Sequence, residues 1–242
     1  MRILNSIPFS CDETEVFARL RMKASEEWAD DVRLTVAKAA AVARPKAVFR
    51  ESFIERRDSQ TVTIDGVTFT SRVLCSNLEA VERVFPFVTT CGTEIDALPL
   101  VSGDVFEQFC RDTIKELALA AALRFLSDYL REAYALPKIT SMHPGSGDRN
   151  VWPIEQQKLL FHLLGDGPRR IGVVLTETCL MIPNKSISGI FYPAAVDFST
   201  CRLCHRPNCP SRRAPFDAHL WEERFPEEAQ RKTQASFRTP VP

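Results

Sequence analysis

Cys201, Cys204 and Cys209 fall within nine positions of one another, in the run Cys-Arg-Leu-Cys-His-Arg-Pro-Asn-Cys-Pro. Thiolates at this close spacing can wrap one ion or one cluster corner, and a proline after a cysteine stiffens the loop that presents it. Three cysteines leave the set one ligand short. His205 or Cys179 would complete a zinc site, a distant cysteine would complete a [4Fe–4S] cluster, or an iron would stay open to an external ligand. A structural zinc stapling a segment with little core of its own, and three unliganded thiols, are the competing readings. Arg202, Arg206, Arg212 and Arg213 surround the trio, with no acid between Cys201 and Pro215. Such a field would balance a thiolate cluster or dock an acidic partner surface, and a solvated charge run reads equally well.

A second chemistry-bearing stretch is the polar loop from His143 to Trp152, which holds Pro144, Gly145, Ser146, Gly147 and Asp148. Asp148 can accept a ribose hydroxyl or an ammonium, or cap the helix that Pro153 opens; by its residues alone the loop is an ordinary surface turn. No Ser-His-Asp ordering, phosphate-binding GxxxxGK[ST] or dinucleotide-binding GxGxxG after a strand occurs, which leaves hydrolase and kinase chemistry without carriers. The 31 Lys and Arg balance 31 Asp and Glu, so bulk positive field for nucleic acid is lacking, although a local patch is not excluded. No apolar run approaches the ~18 residues of a membrane helix, and the N-terminus lacks a signal-peptide core. The expectation is a cytoplasmic protein, in which eight cysteines are not a disulfide framework.

The elements that position these residues follow from periodicity. Roughly helical spacing of Val16, Leu20, Trp28, Val32, Leu34 and Val36 between Asp12 and Val42 predicts two helices or one broken helix, stopped by Pro45. Alternation on both sides of Asp65-Gly66 predicts a hairpin over residues 60–72. A short helix is expected from Asn77 to Phe85, a buried strand from Phe85 to Thr90, and a long central helix through 104–135, which has no Gly or Pro. A strand over 138–142, a helix from Pro153 to Leu164 and three late antiparallel strands, in 170–176, 180–183 and 186–192, complete the body. Residues beyond Phe225 read as a flexible tail.

Collinear motifs over residues 85–192 resemble the reactivation domain of cobalamin-dependent methionine synthase. The matches are Phe87 to Glu94, Pro144-Gly145, Trp152-Pro153, Leu163-Leu164, Gly172, Leu175-Thr176-Glu177, Met181, Pro183, Ser186 and the Ser188-Gly189 turn. The resemblance implies a C-shaped single α+β domain over 1–198, with a twisted antiparallel sheet, followed by a cysteine-bearing segment at 199–225 and a tail at 226–242. It implies S-adenosylmethionine binding at His143, Pro144, Gly145, Ser146, Gly147, Asp148, Trp152 and Tyr192. The implied role is reductive reactivation of an oxidised corrinoid on a cobalamin-bearing partner, with neither nucleic acid nor membrane involved. If the chain is catalytic, it is one component of that reductive methylation. Electron supply to cob(II) favours iron–sulfur over zinc at Cys201, Cys204 and Cys209. The chain lacks the Asp-x-His-x-x-Gly signature of a cobalt-ligating module, so it would act on a separate corrinoid protein. It departs from the family pattern at Ser141, where the family has an arginine, and at Ser146, where it has a tyrosine. Phe198, Ser199 and Thr200 stand where the family has paired tyrosines. The acids Asp112 and Glu116 of the central helix correspond in position to an acid-bearing helix of the family, and solvent exposure explains both. A binding or scaffold protein that keeps the fold and has lost the methyl donor is the alternative.

Overall fold

Asp12 and Arg21 bracket the first helix: the Asp12 carboxylate accepts the Thr14 amide at 2.8 Å, and Arg21 ends the helix in a left-handed conformation. The computed structural model describes residues 1–25, 27–99, 104–147, 149–194, 198–209 and 212–226. Strand β1 (Arg2–Leu4) precedes helix α1 (Glu13–Leu20), and α2 (Ala29–Val42) follows, so of the two expected arrangements it is two separate helices that form. Strands β2 (Lys46–Phe49), β3 (Ser52–Arg57), β4 (Thr61–Ile64) and β5 (Val67–Thr70) come next. Asp65 and Gly66 have φ of 45° and 80°, the pair of positive values a type I′ turn requires, and the predicted hairpin forms around them.

The helix expected from Asn77 to Phe85 lies earlier, as α3 (Arg72–Asn77). The Ser71 hydroxyl caps it by accepting the Leu74 amide at 2.9 Å, and the chain is extended again from Arg83 as β6 (Arg83–Thr90). The long helix is α4 (Val105–Ala133), capped by Asp104. It is not buried all round: Cys110, Ile114, Leu117, Ala118, Ala122, Leu126 and Leu130 are covered, while Phe109 is exposed. Its two buried cations are paired, Arg111 with Glu107 and Lys115 with both Asp96 and Asp112, so Asp112 has a structural partner.

Strand β7 (Ile139–Met142), a 3-10 turn at Ile154–Gln156, helix α5 (Gln157–Leu164) and the single turn α6 (Gly167–Arg170) follow. The strand expected over 170–176 shrinks to β8 (Val174–Leu175), because Pro168 and its neighbours take a helical turn first; β8 pairs with β9 (Met181–Ile182). Strand β10 (Ser186–Pro193), a 3-10 turn at Thr200–Leu203 and α7 (Ala218–Arg224) complete the described chain. Ser188-Gly189 is therefore mid-strand rather than a turn.

The main sheet is antiparallel throughout, with β6 as its hub. Pairs from Lys46↔Thr90 to Phe53↔Arg83 hold one register, so β2 and β3 line one edge of β6, and β10 lines the other with β7 outside it. The sheet curls into a half-barrel. One face, carrying Phe49, Phe85, Phe87 and Phe191, packs on Ala122, Leu126 and Leu130 of α4. The opposite face joins Ile64, Phe69, Met142, Ile190 and Tyr192 to Leu74, Trp152 and Leu160, and also to Leu203, Trp221 and Phe225. The cysteine-bearing segment thus contributes to a core of the main body. Among the described residues no helix is long and apolar enough to cross a membrane.

Candidate functional site

Strand parity assigns the groove. Ser141 pairs with Phe191 across β7 and β10, so Ser141, Ile187, Gly189 and Phe191 share the α4 face while Met142, Ile190 and Tyr192 face away. Over that face α4 presents Glu116, Leu119, Ala120, Leu123, Arg124 and Ser127, the recurrence of one helical side. A groove of about 440 Å³ lies between them, closed further by Arg213. Leu119, Leu123, Ile187 and Phe191 make it apolar, and Phe87 stacks behind Phe191 at 4.4 Å. Glu116 and Arg124 stand about 12 Å apart along the helix. Glu116 is paired with Lys185 at 2.7 Å.

His143 continues β7 on the same face. Its Nδ1 lies 3.0 Å from the Ser188 carbonyl and its Nε2 3.0 Å from Ser141 Oγ. A carbonyl only accepts, so Nδ1 carries the proton; in the neutral ring Nε2 then accepts from the Ser141 hydroxyl. Burial pushes the His143 pKa down to about 4, offset in part by the Ser188 bond and reinforced by the charge of Arg213. The ring is therefore neutral at pH 7 and meets the edge of Phe87, with centroids 5.8 Å apart.

The loop after His143 spends its polar groups on itself. The Gly145 amide donates to the Trp152 carbonyl at 2.8 Å, the Ser146 amide to the His143 carbonyl at 3.1 Å, and the Ser146 hydroxyl pairs with that of Thr200 at 3.0 Å. Gly145 has φ of +77°, and a Cβ there would sit 2.6 Å from Ile154 Cδ1, so both conformation and space demand glycine. Pro144 is buried and Gly147 is exposed on the loop. Asp148 lies outside the described residues. Trp152 and Tyr192 are core side chains, 0% and 1% exposed, on the sheet face opposite the groove. The Trp152 Nε1 donates to Gln156 at 3.2 Å, and burial drives the Tyr192 hydroxyl pKa far up. Of the predicted ligand residues that are described, His143 is the one whose side chain bonds directly to a groove residue. Glu116, Arg124, Ser141 and Arg213 were not expected as lining. For the α4 residues the signal is the three- and four-residue spacing; for Arg213 there is none in the sequence.

Among the described residues no group of three or more His, Cys, Asp or Glu side chains gathers as a metal site would require. Instead Arg212 organises the cysteine segment. Its guanidinium donates to the carbonyls of Cys201, Cys204 and Ala214, each at 3.1 Å, and to that of Arg206. His205 packs its ring on Phe216 and Trp221, at 4.5 and 5.0 Å between centroids. Cys179 occupies a left-handed position in the β8–β9 turn, its amide bonded to the Thr176 carbonyl. Cys201 Sγ accepts the Arg213 amide at 3.4 Å, and this contact is the main reason its thiol pKa is lowered. Arg202 is paired with Asp217, the cap of α7, at 2.6 Å.

Arg212→Ala should release this segment: a loss of about 2 kcal/mol in urea unfolding, with faster amide exchange over 201–214. Arg212→Lys keeps the charge without the fork and should recover less than half. Unchanged exchange in Arg212→Ala would refute the assignment.

No protein-family model matches the chain, and no curated protein matches it. Among solved structures it is similar to the crystal structure of the MetH reactivation domain bound to AdoHcy, with a TM-score of 0.52 and 16% identity over 73% of this chain and 70% of that one. At that identity the likeness is one of architecture, and the chain has the α+β fold of the MetH reactivation domain.

Proposed function

We propose that this protein binds S-adenosylmethionine or a related ligand in the groove between α4 and β10, and assists reductive reactivation of a corrinoid carried by a partner protein. One observation carries the proposal: the groove, floored by Phe191 and Ile187 and bordered by Glu116, Arg124 and Arg213, lies in a fold whose solved relative holds AdoHcy. Its volume of about 440 Å³ lies within the span that small-ligand sites occupy. The apolar floor suits a nucleoside, and the charged side chains suit an amino-acid end. The proposal draws on no metal at the cysteines.

Titration calorimetry of the full chain with AdoHcy and S-adenosylmethionine should give micromolar binding. Ala120→Phe, which fills the groove, should weaken it at least about 30-fold, or about 2 kcal/mol, while thermal unfolding stays close to wild type. Absence of heat with either ligand would refute this reading. It would favour a scaffold that keeps the fold, a reading for which Ser141, its hydroxyl already committed to His143, is the specific observation.

A further inference from the structure

Arg213 reaches the groove from outside the elements that build it. It belongs to the irregular stretch after the cysteines, and its amide is pinned to Cys201 Sγ at 3.4 Å, next to the carbonyl-bonded Arg212. Among the described residues its guanidinium makes no ion pair and no hydrogen bond. The other groove arginine differs. Arg124 also lines a second cleft beside α4, whose lining includes Asp12, Glu15 and Asp128. Lys185 is committed to Glu116. Arg213 lines the groove together with Ser141, and its charge disfavours the protonated form of the His143 ring. The groove therefore has an apolar floor, the hydrogen-bonded Ser141–His143 pair at the end of β7 and, in Arg213, a cation that no acid clusters around.

We propose that Arg213 is the carboxylate-binding residue of this groove, so that the ligand is an α-amino acid conjugate whose apolar body lies on Phe191 and Ile187 and whose carboxylate meets the Arg213 guanidinium. This rests on the ligand-binding reading above and specifies it: the cysteine-bearing segment becomes part of the site. A planar guanidinium can hold both carboxylate oxygens, which the nearby Ser141 hydroxyl cannot do.

The test uses the full chain and two probes, AdoHcy and 5′-methylthioadenosine, which keeps the nucleoside thioether and lacks the amino-acid carboxylate. Wild type should bind AdoHcy about 10- to 100-fold more tightly. Arg213→Ala should lower AdoHcy affinity to that of methylthioadenosine and leave methylthioadenosine unchanged, while Arg213→Lys recovers part of the difference. Arg206→Ala removes the same charge at an exposed position away from the groove and should leave both affinities as they are. AdoHcy should also slow amide exchange over 201–213. If wild type binds AdoHcy and Arg213→Ala binds it equally well, the assignment fails and the groove reading stands. If Arg213→Ala weakens both probes alike, or Arg206→Ala matches its effect, Arg213 does not bind the carboxylate. If wild type binds neither probe, both readings fail.

Discussion

Gly189→Ala should destabilise the protein by about 3 kcal/mol or more. Gly189 sits in the middle of β10, opposite Phe87 of β6, with β7 on the other side. Its φ is not positive, so the reason is space and not conformation. A Cβ would lie well inside contact distance of the Met142 carbonyl oxygen, 2.6 Å from His143 Nδ1 and 3.1 Å from Phe87 Cε1. The ring edge can shift. The carbonyl cannot, because β7 is held in register by Ile190↔Met142 and Phe191↔Ser141. Relief requires β7 to move off β10, which pulls Ser141 away from the groove and carries His143 with it. Gly66→Ala is the control: nothing lies within 4 Å of its Cβ, and its φ of +80° limits the cost to about 1 kcal/mol. Urea unfolding of the two variants should differ by at least about 2 kcal/mol; Gly189→Ala melting beside Gly66→Ala would show that β7 yields freely.

The elements read correctly from sequence are those whose determinants are local. Asp65-Gly66 marks its own turn, the long run free of Gly and Pro marks α4, a continuous apolar run marks β6, and apolar residues bounded by turn formers mark β10. Helix α3 was misplaced because its determinant is a single cap, Ser71, ahead of a short apolar run that also suits other structure. The groove was half legible. The 143–147 loop stands out by composition, yet which neighbours face the same way depends on the pairing of β7 with β10, and no residue string encodes that register. Trp152 and Tyr192 show the same ambiguity: an aromatic beside a glycine loop fits a ligand or a core equally well, and here both are core. The cysteine spacing is plain in the sequence, whereas the direction of each thiol depends on the backbone between them. That backbone is held by Arg212, whose hydrogen bonds to four carbonyls leave no periodic trace.

Acidification from pH 6.5 to 4 should cost the protein up to about 3 kcal/mol through His143 alone. Burial lowers the folded pKa to about 4 from an ordinary value of 6.5. Between these values the unfolded chain binds a proton that the folded chain refuses, so stability is complete above pH 6.5, declines as pH falls, and levels off below about 4. Carboxylates titrate in the lower part of the same window, so the informative quantity is the difference between wild type and His143→Asn, an amide that can still donate to the Ser188 carbonyl but does not titrate. At pH 7 His143→Asn should be the less stable of the two, since the ring's contact with Phe87 is lost. Toward pH 4 the gap should narrow or reverse, and a gap independent of pH would show that the ring titrates normally. The same neutrality governs the groove. A neutral ring protonated at Nδ1 draws the Ser141 hydroxyl proton toward Nε2 and turns the Ser141 oxygen lone pairs outward. A protonated ring would donate from Nε2 and release that hydroxyl proton to the groove. Ligand affinity should therefore keep one value from pH 8 down to about 5 and change only as the folded ring takes up its proton near pH 4.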